Sequence, residues 1–210
     1  MKKQFAVYAA FLLLCACDLK METTAKISDL LSQDSKTLFA EMKAQVSSCT
    51  DPTDPSEASE DTYKVQRMVA KSVAGAQYLG CKNEDFTNSF AVFSVPVTLS
   101  EYGRPRKEGE VFRLLRKGNT FYFDFSREVI RSLEQKSVIN LTLSATIVAV
   151  NDTTETINYK TLATFVNGEP VISGNLSLAP MQKAAIRASD VSIAQAKNGT
   201  PAYFMEIIKE

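Results

Sequence analysis

Four cysteines, at positions 15, 17, 49 and 81, are the only soft nucleophiles in a 210-residue chain that contains no histidine. The lack of histidine removes the side chain that titrates nearest neutral pH and the commonest metal ligand, so histidine triads and histidine-zinc sites are ruled out. No Cys-x-x-Cys pair, Gly-x-Ser-x-Gly elbow or Ser-x-x-Lys motif occurs, and the eight glycines form neither a dinucleotide fingerprint nor a phosphate loop. Two carboxylates such as Asp124 and Glu128 could act as acid and base, as in glycoside hydrolysis. Scattered acids are expected by chance in a chain of this length, so the reading is non-enzymatic, with no cofactor and no metal. The acidic run Asp51, Asp54, Glu57, Glu60 and Asp61 lacks the glycine and ligand spacing of a calcium loop and reads as a solvated loop.

A basic cluster, Arg104, Arg106, Lys107, Arg113, Arg116 and Lys117, is broken by Glu108 and Glu110. It reads as a mixed-charge solvated hairpin, with a site for an anionic partner as the alternative. Tyr102 stands in a loop beside Arg104 and Pro105, so Tyr102, Arg104, Arg106 and Lys107 are the expected partner contacts. Equal numbers of basic and acidic side chains, 24 each, exclude a general nucleic-acid binder.

The amino terminus has a basic start at Lys2 and Lys3, a short apolar run from Phe5 to Leu14, and the sequence Leu14-Cys15-Ala16-Cys17. The apolar run is too short to span a bilayer and has the arrangement of a secretory signal. Leu14-Cys15-Ala16-Cys17 resembles a bacterial lipobox, the processing motif of secreted lipoproteins. The resemblance implies that residues 1–16 are removed and that Cys17 is acylated. Several acyl chains on one residue hold a protein at a membrane where a single chain does not. Asp18 after the anchor resembles the inner-membrane retention signal of enteric lipoproteins, with the outer membrane as the alternative. On this reading Cys15 leaves with the signal and Cys17 carries lipid. Cys49 and Cys81 then remain in a disulfide-forming compartment, where only one intramolecular pairing exists. Removal of Lys2 and Lys3 leaves 22 basic against 24 acidic side chains.

The elements that must position these residues are mostly strands. Alternation predicts strands near residues 21–29 and 37–47, although the second stretch also fits a helical face. Val65, Met68, Val69 and Val73 place a helix over 59–73, ended by Gly75. A dense strand covers 90–99, with Pro96 marking an edge or bulge. A hairpin covers 111–125, and Ser126 caps a helix to about residue 135. The last third reads as a strand over 138–150, a hairpin through Asn167-Gly168, a strand near 184–188, a helix capped by Asp190 and a closing strand over 202–208. The expected fold is α+β, mainly antiparallel sheets with about three short helices. The expected regions are 1–16, 17–136 and 137–210, the last a small sandwich-like unit. The body resembles small uncharacterised bacterial or prophage-encoded periplasmic lipoproteins. Function is expected to be that of a membrane-tethered envelope protein, a structural or accessory subunit acting through protein contacts. A periplasmic small-ligand or glycan-binding module is the alternative.

Overall fold

The computed structural model describes residues 17–85, 88–136 and 141–208. Within these residues eleven strands and four helices alternate irregularly. The first half contains β1 (Cys17–Lys26), α1 (Ile27–Leu31), β2 (Lys36–Val46), α2 (Glu60–Ser72), β3 (Gln77–Asn83) and β4 (Ser89–Glu101). It continues with β5 (Phe112–Lys117), β6 (Thr120–Phe125) and α3 (Arg127–Lys136). The second half contains β7 (Leu141–Val150), β8 (Ile157–Val166), β9 (Glu169–Leu178), β10 (Lys183–Ala188), α4 (Asp190–Lys197) and β11 (Ala202–Ile208).

Nine strands form a ring in the order β10-β7-β1-β2-β4-β5-β6-β11-β8, which closes where residues 186–188 of β10 pair with residues 164–166 of β8. The expected α+β sheets and carboxy-terminal sandwich are therefore corrected to one closed barrel with four helices around it. Alternation tells which side of a strand is buried but not which strand lies beside it. Two of the ring's contacts are parallel pairs, β1 with β7 and β4 with β5, and they join segments that no hairpin links. β1 lies between β2 and β7, and β6 pairs with β11, so strands of 17–136 and 137–210 are neighbours in the same ring.

The barrel is apolar inside and polar outside. Leu19, Met21 and Ala25 of β1, Ala40, Met42 and Ala44 of β2, and Leu143, Ala145 and Ile147 of β7 are buried. Between them, Lys20, Glu22, Glu41 and Lys43 point outward. This is the reverse of a lipid-facing barrel, whose outer band is apolar. Among the described residues no helix is long and apolar enough to cross a membrane. Phe112, Phe121, Phe123, Phe125 and Phe204 fill one side of the interior, with the Phe112 and Phe125 rings 5.2 Å apart. Phe121, Phe123 and Phe125, at alternate positions of β6, thus mark core.

Two irregularities let the ring close. β4 pairs with β3 through residues 89–94 and with β5 through residues 98–101. Pro96, which has no N–H to give a ladder, lies between the two partners. β8 carries β9 on one edge, while its other edge pairs with β11 at 158–160 and with β10 at 164–166. Between those stretches Ala163 takes a positive φ of 51°, and the burial phase slips so that Thr161 and Thr164 both face inward. A bulge of this kind turns a strand between two neighbours. The ambiguous stretch near 37–47 is strand β2, paired over its whole length with β4. The helices sit close to their expected places. Ser59 caps α2 by accepting from Thr62 N, and Ser126 Oγ accepts from Val129 N of α3. Ser189, rather than the expected Asp190, caps α4. α1 and β3 had no counterpart in the sequence reading.

Candidate functional site

The loop from Tyr102 to Val111 crosses from β4 to its parallel neighbour β5 and lies over the outward faces of β5 and β6. Gly109 docks it. Its carbonyl accepts from Ala74 N at 2.9 Å, its φ is +70°, and an added Cβ would lie 2.6 Å from Ala74 Cβ. A side chain there would therefore be strained both by the backbone and by the contact.

Beneath the loop is a buried ionic centre. Asp124 points outward from β6 yet is only 4% exposed, because the loop covers it. Its Oδ2 accepts from Arg113 Nε at 3.1 Å and Nη2 at 2.9 Å. Arg106 Nη2 lies 2.8 Å from the same oxygen as an ion pair, and Arg106 Nη1 donates to the Glu110 carbonyl at 2.9 Å. Arg113 Nη1 reaches back to the Arg104 carbonyl at 2.8 Å. Burial lowers the pKa of Arg106, and the nearby Asp124 opposes that effect. One carboxylate therefore holds two guanidinium groups and, through them, the backbone of the loop. Asp124 Oδ1 and the Glu110 Oε1 are buried without a hydrogen-bond partner in the described structure.

The expected contact residues separate into two groups. Tyr102, Arg104 and Lys107 are exposed, whereas Arg106 turns inward onto Asp124. Tyr102 is 45% exposed and packs edge-on against Tyr122 at 5.3 Å, and Tyr122 packs against Tyr203 at 6.2 Å. Arg104 donates to Ser35 Oγ at 2.7 Å. Arg116 also leaves the expected basic surface. It points into the barrel end, where it pairs with Glu101 and donates to the Gln33 carbonyl at 3.1 Å. Glu128 lies exposed on α3, apart from the charge-paired Asp124. The sequence reading missed Asp124, Arg113 and Glu110 as the frame of the loop. The signal available was Asp124 itself, a charge at an outward position within the aromatic strand β6.

Depressions among the described residues lie near this loop and along the barrel wall. One of about 130 Å³ lies under the loop, among Ser35, Thr98, Ser100, Arg104 and Glu110. The larger, of about 340 Å³, runs along the outer faces of β10, β7, β1 and β2 and includes Asp18, Lys20, Glu22, Lys43, Thr146 and Arg187. Cross-strand neighbours in it carry like charges, Lys20 opposite Lys43 and Glu22 opposite Glu41. Like charges directly opposite destabilise a sheet. Here Glu84 bridges both lysines, at 3.1 Å to Lys20 and 2.7 Å to Lys43. These contacts lower the Glu84 pKa and raise that of Lys43. Among the described residues no group of three or more potential ligands is placed to hold a metal.

The Cys49–Cys81 disulfide is present and ties the loop before α2 to β3, with the Cα atoms 5.5 Å apart. The Cys17 backbone lies in β1 and pairs with Leu141 of β7. Asp18 already belongs to the strand, and its N–H donates to Gln45 Oε1 at 3.3 Å.

No curated protein and no solved structure matches the chain. A family model described as a domain of unknown function, DUF7424, matches residues 19–209, so the chain belongs to that family.

Proposed function

We propose that this is a non-enzymatic lipoprotein of the bacterial envelope, anchored through Cys17, that works by protein contact at the face carrying Tyr102, Arg104 and Lys107. The observation that carries the reading is the position of Cys17. The lipobox-like sequence ends on Cys17, which already belongs to β1. An acylated Cys17 would hold the barrel at the bilayer with no linker between them. The contact face is supported by its construction. Exposed Tyr102, Arg104 and Lys107 stand on a loop fixed from below by Arg106, Arg113 and Asp124. A rigid display of aromatic and arginine side chains suits a protein interface, where both types are enriched. Asp18 favours the inner membrane and the periplasmic side.

The test has two parts. Cys17→Ser should release the protein from the membrane fraction, and unchanged membrane association would refute the anchor. A photocrosslinking residue at Tyr102 should give an envelope-protein adduct that is lost when Arg104 and Lys107 are changed to Glu. The absence of any adduct would refute the contact face.

The 340 Å³ groove supports a second reading, a small-ligand or glycan-binding module. Its floor of Thr142, Ser144 and Thr146 lies between charged walls and offers hydroxyl and charged partners to a polar ligand.

A further inference from the structure

The depression of about 130 Å³ under the Tyr102–Val111 loop has walls from β4 and β5 as well as from the loop. Thr98 and Ser100 stand two residues apart on β4, on the face opposite the buried Val97 and Leu99. Arg113 is the β5 neighbour of Thr98. The loop contributes Arg104, Lys107 and Glu110. Arg106 and Arg113 are already paired, since they share Asp124. Arg104 and Lys107 are not. Among the described residues neither makes an ion pair, Arg104 has one side-chain hydrogen bond, to Ser35 Oγ, and Lys107 Nζ has none. The hydroxyls of Thr98 and Ser100 also make no hydrogen bond within the described structure, although Ser100 is buried. Four cations, counted with Arg106 and Arg113, stand against the carboxylates of Asp124, Glu110 and the exposed Glu108, so the cavity lies in a surplus of positive charge. Glu110 Oε1 is buried without a partner.

We propose that this cavity binds a phosphate group that carries a P–OH, either the free hydrogen phosphate ion or a phosphate monoester. The groups left unused there are donors suited to an anion. Arg104 and Lys107 offer charge-assisted hydrogen bonds, and Thr98 and Ser100 offer hydroxyls to further oxygens of the same group. Water would satisfy the hydroxyls but would not neutralise the two cations. Size limits the occupant. Ligand pockets ordinarily measure about 300–1,000 Å³, so this one takes a single small group. Glu110 decides which oxyanion it is. A carboxylate only accepts hydrogen bonds, so it favours an anion that still has a proton to donate. A phosphate monoester ionises for the second time near pH 6 and there carries both negative charge and a proton. Sulfate is fully ionised and has none to give. The walls are set before a ligand arrives, because Asp124 pins the loop through Arg106 and Arg113 and Gly109 docks it on Ala74. A preorganised site loses little binding energy to its own ordering. The inference rests neither on the membrane anchor nor on a protein partner at the Tyr102 face.

The experiment is titration calorimetry on the full chain, purified in detergent from the cell that makes it, at about pH 6 and constant ionic strength. The probes are inorganic phosphate, glycerol 3-phosphate and sulfate. One equivalent of phosphate or of its ester should bind per chain, about tenfold or more tighter than sulfate. The tighter of the two phosphates names the source, a free ion or the head of an ester. Arg104→Gln combined with Lys107→Gln should weaken that binding about tenfold or more. Both side chains are exposed, so the circular dichroism spectrum and the urea midpoint should be kept. Glu110→Gln should retain binding and bring sulfate within about threefold of phosphate, because an amide donates to either anion. The inference is overturned if neither phosphate binds, if binding is unchanged in the Arg104 and Lys107 double variant, or if sulfate binds the unaltered protein as tightly as phosphate. Crosslinking from Tyr102 in cells reads the contact face separately. Phosphate binding without an adduct there would refute that face and keep the cavity.

Discussion

At the residue scale, Asp124 is the side chain that fixes the loop carrying the proposed contact face. It neutralises Arg106 and Arg113 together, and removal of its charge would leave two guanidinium groups under the loop without their shared partner. Breaking a buried ion pair from one side costs about 3–5 kcal/mol. Asp124→Asn should therefore lower the unfolding free energy by that order, read by urea denaturation, and should loosen the loop, read as faster amide exchange at Arg104 to Glu110. Glu84 is a milder case because it is about one-third exposed. Lys43 and Lys20 lower its pKa, so its contribution is present above its unfolded pKa of about 4.3 and is lost as pH falls through the lower folded value. Glu84→Gln should cost under about 1 kcal/mol at neutral pH, and nothing in acid where the wild-type carboxylate is protonated. Tyr203 works in the opposite direction. Burial, with help from Glu206 and Tyr122, pushes its phenol up to about 12. A folded pKa above the unfolded value of about 10 means that its contribution is complete below pH 10 and lost between about 10 and 12. Ultraviolet titration of phenolate should show a late-ionising tyrosine that disappears in Tyr203→Phe.

At the element scale, the disulfide and the first strand give the clearest expectations. The Cys49–Cys81 bridge spans a sequence separation of 32 residues. A loop of that length is worth about 3–4 kcal/mol in the chain-entropy model. Replacement of both cysteines with serine should lower stability by that order without opening the ring, since β3 lies outside it. With the proposed anchor at Cys17, which lies in β1, the rim near Cys17, Val46 and Ser89 should lie against lipid headgroups. The chain has no tryptophan, which makes single reporters clean. Ser47→Trp should be quenched by headgroup-labelled lipid and Lys117→Trp should not, because a ten-residue strand separates the two rims by about 33 Å. Equal quenching at both positions would contradict a barrel held close to the membrane. Strand positions were legible because they rest on local signals. Asn167-Gly168 makes its hairpin with positive φ at both residues, and β7 buries every second side chain as its sequence alternates. Their order was not legible, since the parallel β1–β7 contact joins segments more than a hundred residues apart. β3 was missed because its exposed residues show no alternation. α1 is five residues long, too short for periodicity to register.

At the scale of the whole molecule, apolar side chains fill the interior, and the proposed contacts lie on the outside of the barrel. Two outer features carry them: the Tyr102 loop with the cavity beneath it, and the charged groove. The sequence pointed to the first because a tyrosine beside arginine and proline reads as exposed loop. It did not show that Arg106 faces inward, which depends on Asp124 lying beneath. The groove and the cavity exist only once the ring is closed, so no local pattern marks them. The proposed envelope function assumes a barrel carried directly on a lipidated first strand. The intact mass of protein extracted from membranes tests this most directly. The account predicts a chain that begins at Cys17 and carries diacylglycerol and an amide-linked acyl group on that residue. A chain that keeps residues 1–16, or begins at an unmodified residue, would contradict it.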